Sequence, residues 1–174
     1  MTIKKIKIIN VVFLFLLAFL WHFMYDLLPN NFFALFFPVN ESIWEHMKII
    51  YYCLLLSSVL EFILYHKFKI KVNNFYISSM VKSVLGVIIY LIIFIPIYKL
   101  IGESMFVSIS LMLIVYALME FISLKILQSE ELNINILPVI IIVLGMILFI
   151  ILTFYPVHNF LFFDNIKFGY GILK

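Results

Sequence analysis

The sequence predicts an all-α fold: a polytopic transmembrane helical bundle of about five spans, with its N-terminus inside. Three observations predict it. Of 174 residues, 66% are hydrophobic and 12% charged, with a mean hydropathy of +1.21. A water-soluble domain is close to half apolar and about a quarter charged, so lipid must cover most of this chain's surface. Five runs reach the roughly 20 apolar residues that a spanning helix needs. The twelve basic residues, all lysine, fall unequally on the ends of those runs.

The first span runs from about Ile8 to Leu28. Lys4, Lys5 and Lys7 precede it as they would a signal peptide, but it continues through Trp21-His22-Phe23-Met24-Tyr25-Asp26 with no small-residue cleavage site, so it reads as an uncleaved helix. The other spans run from about His46 to Tyr65, Ile77 to Tyr98, Ser104 to Leu127 and Ile136 to Pro156. Pro29, Pro38, Pro96, Pro138 and Pro156 lie at or near these boundaries, where a missing amide costs least. No internal repeat or linker divides the chain, so residues 1–174 read as a single transmembrane domain ending in an outer segment, 157–174. Twenty Phe, ten Tyr and only five Gly favour a packed bundle over a wide pore. Cys53, the lone cysteine, sits in an apolar run and reads as a buried structural thiol, with no internal disulfide available.

With the N-terminus inside, Lys4, Lys5, Lys7, Lys67, Lys69, Lys71, Lys82 and Lys125 fall on the cytoplasmic side, against Lys48, Lys99, Lys167 and Lys174 outside. This bias sets the orientation. A scattered net charge of +3 points to anionic lipid headgroups as partners and away from nucleic acid. The same topology gathers three of the four histidines and five of the nine carboxylates, Glu103 among them, at the outer face, from separate parts of the chain.

His22 and Asp26 are four apart and share a helix face, so Asp26 can orient the imidazole for catalysis or metal binding. The competing reading is an amphipathic helix end meeting the headgroups. His22 lies about 9 Å below the end of its span at about 1.5 Å per residue, and an ionisable group at that depth is a functional candidate. The densest polar stretch is Pro38 to His46. Asn40 can cap the second helix, with Val39 and Trp44 as a hydrophobic staple, or Ser42 caps and Glu45 completes a capping box. Glu41 and Glu45 then suit the helix dipole whatever else they do. The functional reading aims both at a site shared with His22 and Asp26. Adjacent helical residues diverge by about 100°, so Glu45 and His46 do not serve one point. No zinc-protease spacing of two histidines around a glutamate is present.

The tail, with His158, Asp164 and Gly169-Tyr170-Gly171, is too apolar for a solvated segment and too short for a span. It reads either as an interfacial anchor or as a lid folded over the bundle's mouth, turning at its glycines. Toward the inner side, Glu61, Lys82 and Glu120 lie within spans and His66 at a span end. Pairing of a glutamate with Lys82 neutralises buried charge, and too few such groups follow one another to form a proton relay.

The run PVNESIWEH from Pro38 to His46 resembles the motif of a family of small bacterial multipass membrane proteins classed as a domain of unknown function. His22 with Asp26 upstream, and Thr153-Phe154-Tyr155-Pro156, His158, Leu161-Phe162, Asp164 and Tyr170-Gly171-Ile172 downstream, stand in matching order over essentially the whole chain. Val157 and Asn165 stand where that family tends to have proline. The resemblance implies a shared fold in a bacterial cell membrane and ties the outer residues together as a set, without importing an activity.

Three functions compete. The first is a hydrolase or transferase acting on a lipid or lipid-linked substrate, with His22, Asp26, Glu41, Glu45 and His46 as catalytic groups. A divalent metal, zinc first among the candidates, would be held by His22, Asp26, Glu45 and His158. The second is a small-solute or ion transporter, disfavoured by the thin polarity across mid-membrane. The third is a non-catalytic membrane partner or immunity subunit that docks another membrane protein.

Overall fold

The computed structural model describes residues 1–102 and 104–173; Glu103 and Lys174, counted above among the outer charges, lie outside the described residues. Five helices are long and apolar enough to cross a membrane, which makes this a multipass membrane protein whose apolar surface meets lipid. They are α1 (Ile3–Leu27), α3 (Ile43–Lys67), α4 (Phe75–Ile101), α5 (Met105–Leu127) and α6 (Ile136–Phe154), with a one-turn α2 (Asn31–Ala34) in the first connection. Each matches an expected span to within a few residues. Pro96 departs from expectation: it lies inside α4, which continues to Ile101.

Local chemistry sets the ends. Thr2 caps α1 by accepting from the Lys5 amide, and Asn30 caps α2 by accepting from Phe32 and Phe33. Asn74, left-handed at φ 53°, precedes α4, while its side chain holds Glu130 O and the Leu132 amide and so ties two connections together. Gly102, at φ 75°, closes α4.

Packing makes α3 the central helix: 61% of its apolar window is buried, against 17–28% in the other four. It packs on α1 and α4, α5 closes against both of those, and α6 lies outside on α4. Phe149 of α6 reaches Trp44, Tyr51 and Tyr52 of α3. The Tyr51 hydroxyl donates to Ile142 O at 2.6 Å, across the backbone of Gly145. A Cβ at Gly145 would collide with that hydroxyl. Gly145→Ala should therefore cost about 1–3 kcal/mol, the range for losing a buried hydrogen bond, and lower the melting midpoint in detergent. Adding Tyr51→Phe should recover only part of the loss, since the ring atoms it keeps still crowd the new Cβ; an unchanged midpoint in Gly145→Ala would contradict the contact.

At the end where the chain begins, two lysines and two glutamates meet in the core. Lys7 pairs with Glu61 and with Glu120 (3.0 Å), and Lys82 with Glu61 (3.2 Å) and Glu120 (3.0 Å). Asn10 donates to both glutamates at 2.8 Å, and Ser57 and Ser123 accept from the lysines. All four charges are buried. The expected Glu–Lys82 pairing is present, but it recruits Lys7, which had read as a topology lysine at the membrane surface. Lys48, read as an outer lysine, is buried too. Among the described residues, Lys4, Lys5, Lys67, Lys69, Lys71 and Lys125 are exposed toward the end where the chain begins, and Lys99 and Lys167 toward the other.

Candidate functional site

At the opposite end, the stretch between α2 and α3 is held in shape by its own polar groups. Ser42 caps α3, accepting from the Glu45 amide at 3.3 Å, and Asn40 accepts from the Ser42 amide at 2.9 Å. The Glu45 carboxylate does not return to complete a capping box. It turns inward, accepting from the Val39 amide (3.1 Å) and the Thr153 hydroxyl (2.8 Å) and pairing with Lys48 at 2.9 Å.

The C-terminal segment is laid over this stretch. Asn40 donates to Gly171 O (2.7 Å), the Trp44 amide to Leu161 O (2.8 Å) and the Glu41 amide to Asp164 (3.0 Å). The Trp44 bond satisfies one of the orphan amides of a helix N-terminus. Phe163–Asp164 pairs with Gly169–Tyr170 as a short antiparallel hairpin, and Gly171 follows at φ 66° against Pro156 and Thr153 O. Asp164 also accepts from the Ile166 and Lys167 amides. Burial pushes its pKa up, but the three amide bonds outweigh burial and hold it below the usual carboxylate range.

A carboxylate depressed in this way contributes stability above its unfolded pKa and loses it as pH falls through the folded value. The clamp should thus be intact at neutral pH and loosen below about pH 4. In a Trp21→Phe background, Trp44, which stacks on Phe162 at 4.9 Å, should report that loosening as a fluorescence red shift. Asp164→Asn should shift emission toward the red already at pH 7 and flatten the titration.

Glu41 is left facing the bundle. Its Oε1 lies 3.8 Å from His22 Nε2 of α1, and its Oε2 lies 3.4 Å from His46 Nε2 of α3. The two imidazoles lie 5.2 Å apart. His46 Nδ1 stands 2.9 Å from Ser42 O, which can only accept, so Nδ1 carries a proton and Nε2 is the nitrogen that faces Glu41 and is placed to act as a ligand. All three ligand atoms fall within 4.8 Å of one another, close enough to hold a metal ion. The contacts exceed the 2.7–3.2 Å usual for N–H···O bonds. They come near the spacing of about 3.3–3.4 Å between ligands of a tetrahedral zinc site with bonds of about 2.0–2.1 Å.

The expected residues thus divide. His22, Glu41 and His46 converge. Asp26 is exposed on α1 and makes no hydrogen bond to His22, whose buried Nδ1 has no partner among the described residues. His158 is exposed and stacks on Tyr170 at 4.4 Å, and Glu45 is committed to Lys48 and Thr153. Of the four residues expected as metal ligands, only His22 belongs to the convergent group.

The group faces a pocket of about 180 Å³ walled by Ala18, Phe19 and Phe23 of α1, Ile49 of α3, and Met105 and Met112 of α5. Tyr90 and Ser108 complete it, and sequence reasoning missed both. A serine near a helix start and a tyrosine within a span give no periodic signal that separates them from core.

No curated protein and no solved structure matches the chain. A family profile does, from residue 1 to residue 172, and it spans the PVNESIWEH stretch, both imidazole-bearing helices and the clamped tail alike. The chain belongs to that family, described as a family of unknown function (DUF6512).

Proposed function

We propose that this protein is a metal-dependent hydrolase or transferase acting on a lipid or lipid-linked substrate at the outer face of a bacterial cell membrane. One observation carries the reading: two imidazole Nε2 atoms converge on one carboxylate at ligand spacing, beside an apolar pocket within the membrane-spanning bundle. Three protein ligands with a further position open is the pattern of catalytic zinc. Such an ion would polarise an ester, amide or phosphoryl bond and lower the pKa of bound water. The second imidazole nitrogen of His46 is engaged by a backbone carbonyl, the orienting contact that metal-bound histidines use.

What weighs against a transporter is the layer between this site and the charged cluster at the far end. Ile50, Leu54, Val115 and Met119 fill it and are buried. Gly86 is so closely packed there that a Cβ would collide with Leu54.

Protein purified without chelator should carry close to one zinc per chain by elemental analysis, and His22→Ala should lose it while keeping its helical circular dichroism. Metal-free wild-type protein that also takes up no added zinc would remove the metalloenzyme reading.

A further inference from the structure

Two cavities meet at the site and share Glu41, His46, Tyr90 and Ser108. The larger, of about 180 Å³, lies between α1 and α5. Its rim residues Phe19, Phe23 and Met105 are 39%, 53% and 78% exposed on helices that cross the membrane, so its mouth is turned toward lipid. The smaller, of about 40 Å³, lies on the tail side, against Tyr98, Phe163 and Asn165. There the Asn165 amide donates to the Tyr98 hydroxyl at 2.8 Å across the rim.

We propose that these compartments carry the two substrates of one hydrolysis: an acyl ester of a membrane lipid from the bilayer side, and water from the tail side. This rests on the enzymatic reading above and names its substrates. Volume decides both assignments. Pockets that enclose a whole small ligand run to about 300–1,000 Å³, so the larger cavity takes only part of a molecule. An ester group and the first carbons of one chain fit that part, while the remaining chain stays in lipid beside Phe19 and Phe23. A cavity of this kind needs about 10–15 Å³ to hold one water. The smaller cavity therefore holds a few waters, and Glu41, His46, Ser108 and Asn165 in its lining give them hydrogen-bond partners, which favours hydrolysis over transfer.

Glu41 stands between the compartments with its two oxygens toward different imidazoles, so one can hold a cation while the other handles a proton. The water oxygen bonds to the ester carbonyl carbon, and Glu41 takes the water proton. As the ester C–O bond breaks, that proton passes to the leaving oxygen. A fatty acid and an alcohol result, with no change of oxidation state.

The test uses the whole chain in nanodiscs of phosphatidylethanolamine and phosphatidylglycerol, with added zinc, in water enriched in ¹⁸O. The probe is a phosphatidylglycerol bearing a diazirine near the ester of one acyl chain. Expected are released fatty acid carrying one ¹⁸O, and light-induced labelling confined to α1 and α5 around Phe23 and Met112. Asn165→Trp, which plugs the tail-side cavity from an exposed position, should lower kcat at least 10-fold and leave the KM for lipid unchanged. Acyl transfer to another lipid without ¹⁸O uptake would overturn the hydrolytic inference and spare the enzyme reading. Labelling without any turnover would overturn the enzyme reading, and with it the hydrolysis, leaving a lipid-binding site. Turnover with labelling elsewhere would overturn the bilayer route alone.

Discussion

Lys82→Met should be among the most destabilising single substitutions in the chain. Lys82 is fully buried and pairs with Glu61 and Glu120, which Lys7 and Asn10 also contact. Two lysines and two glutamates balance; removing one lysine leaves a net buried negative charge that water cannot reach. Breaking a buried pair from one side costs about 3–5 kcal/mol, whereas removing both partners can be nearly neutral. The double variant Lys82→Met/Glu120→Gln keeps the balance, with Lys7 facing Glu61. It should recover most of the loss, giving a coupling energy above about 1 kcal/mol in a double-mutant cycle. Glu120→Gln alone, which leaves a net positive charge, should be destabilised like Lys82→Met. Unfolding in mixed micelles, with the α-helical signal as readout, measures all four proteins. Singles that unfold like wild type would mean the cluster is open to water and is not the core that binds α1, α3, α4 and α5 together.

Much of this arrangement was legible in the sequence, and the parts that were not have physical reasons. The five spans follow from run length and hydropathy, which the solvent enforces directly. Lys7 was read as a surface lysine because its partners lie 54 and 116 residues away, at Glu61 and Ser123, and nothing local marks them. The clamp from the tail is equally remote, with Glu41 and Asp164 separated by 123 residues. The set of residues at this end was visible through the resemblance, but its geometry was not. The expectation that Glu41 and Glu45 both aim at one site fails because α3 begins at Ile43. Glu41 precedes the cap, so helical periodicity does not govern where it points. Asp26 does share a helical face with His22, yet it extends outward, and the carboxylate that meets the imidazole comes from the loop.

That division of the two glutamates is testable by comparing their variants. Glu41→Gln should leave the fold within about 0.5 kcal/mol of wild type, since the Glu41 side chain is part-exposed and its structural bond comes from its backbone amide. It should lose the bound zinc, and lipid turnover should fall at least about 100-fold, the lower range for a missing acid–base group. Glu45→Ala should behave in the opposite way. It strands the fully buried Lys48, whose other contacts are the carbonyls of Ala34 and Phe37, and leaves the Val39 amide without its acceptor and the Thr153 hydroxyl with only Phe149 O. The expected cost is again about 3–5 kcal/mol, and Lys48→Met in the same chain should return part of it. Whatever fraction of Glu45→Ala stays folded should still bind zinc through His22, Glu41 and His46. A Glu45→Ala protein that melts like wild type but has lost its metal would reverse the assignment, because it would place Glu45 at the site and make its bond to Lys48 dispensable.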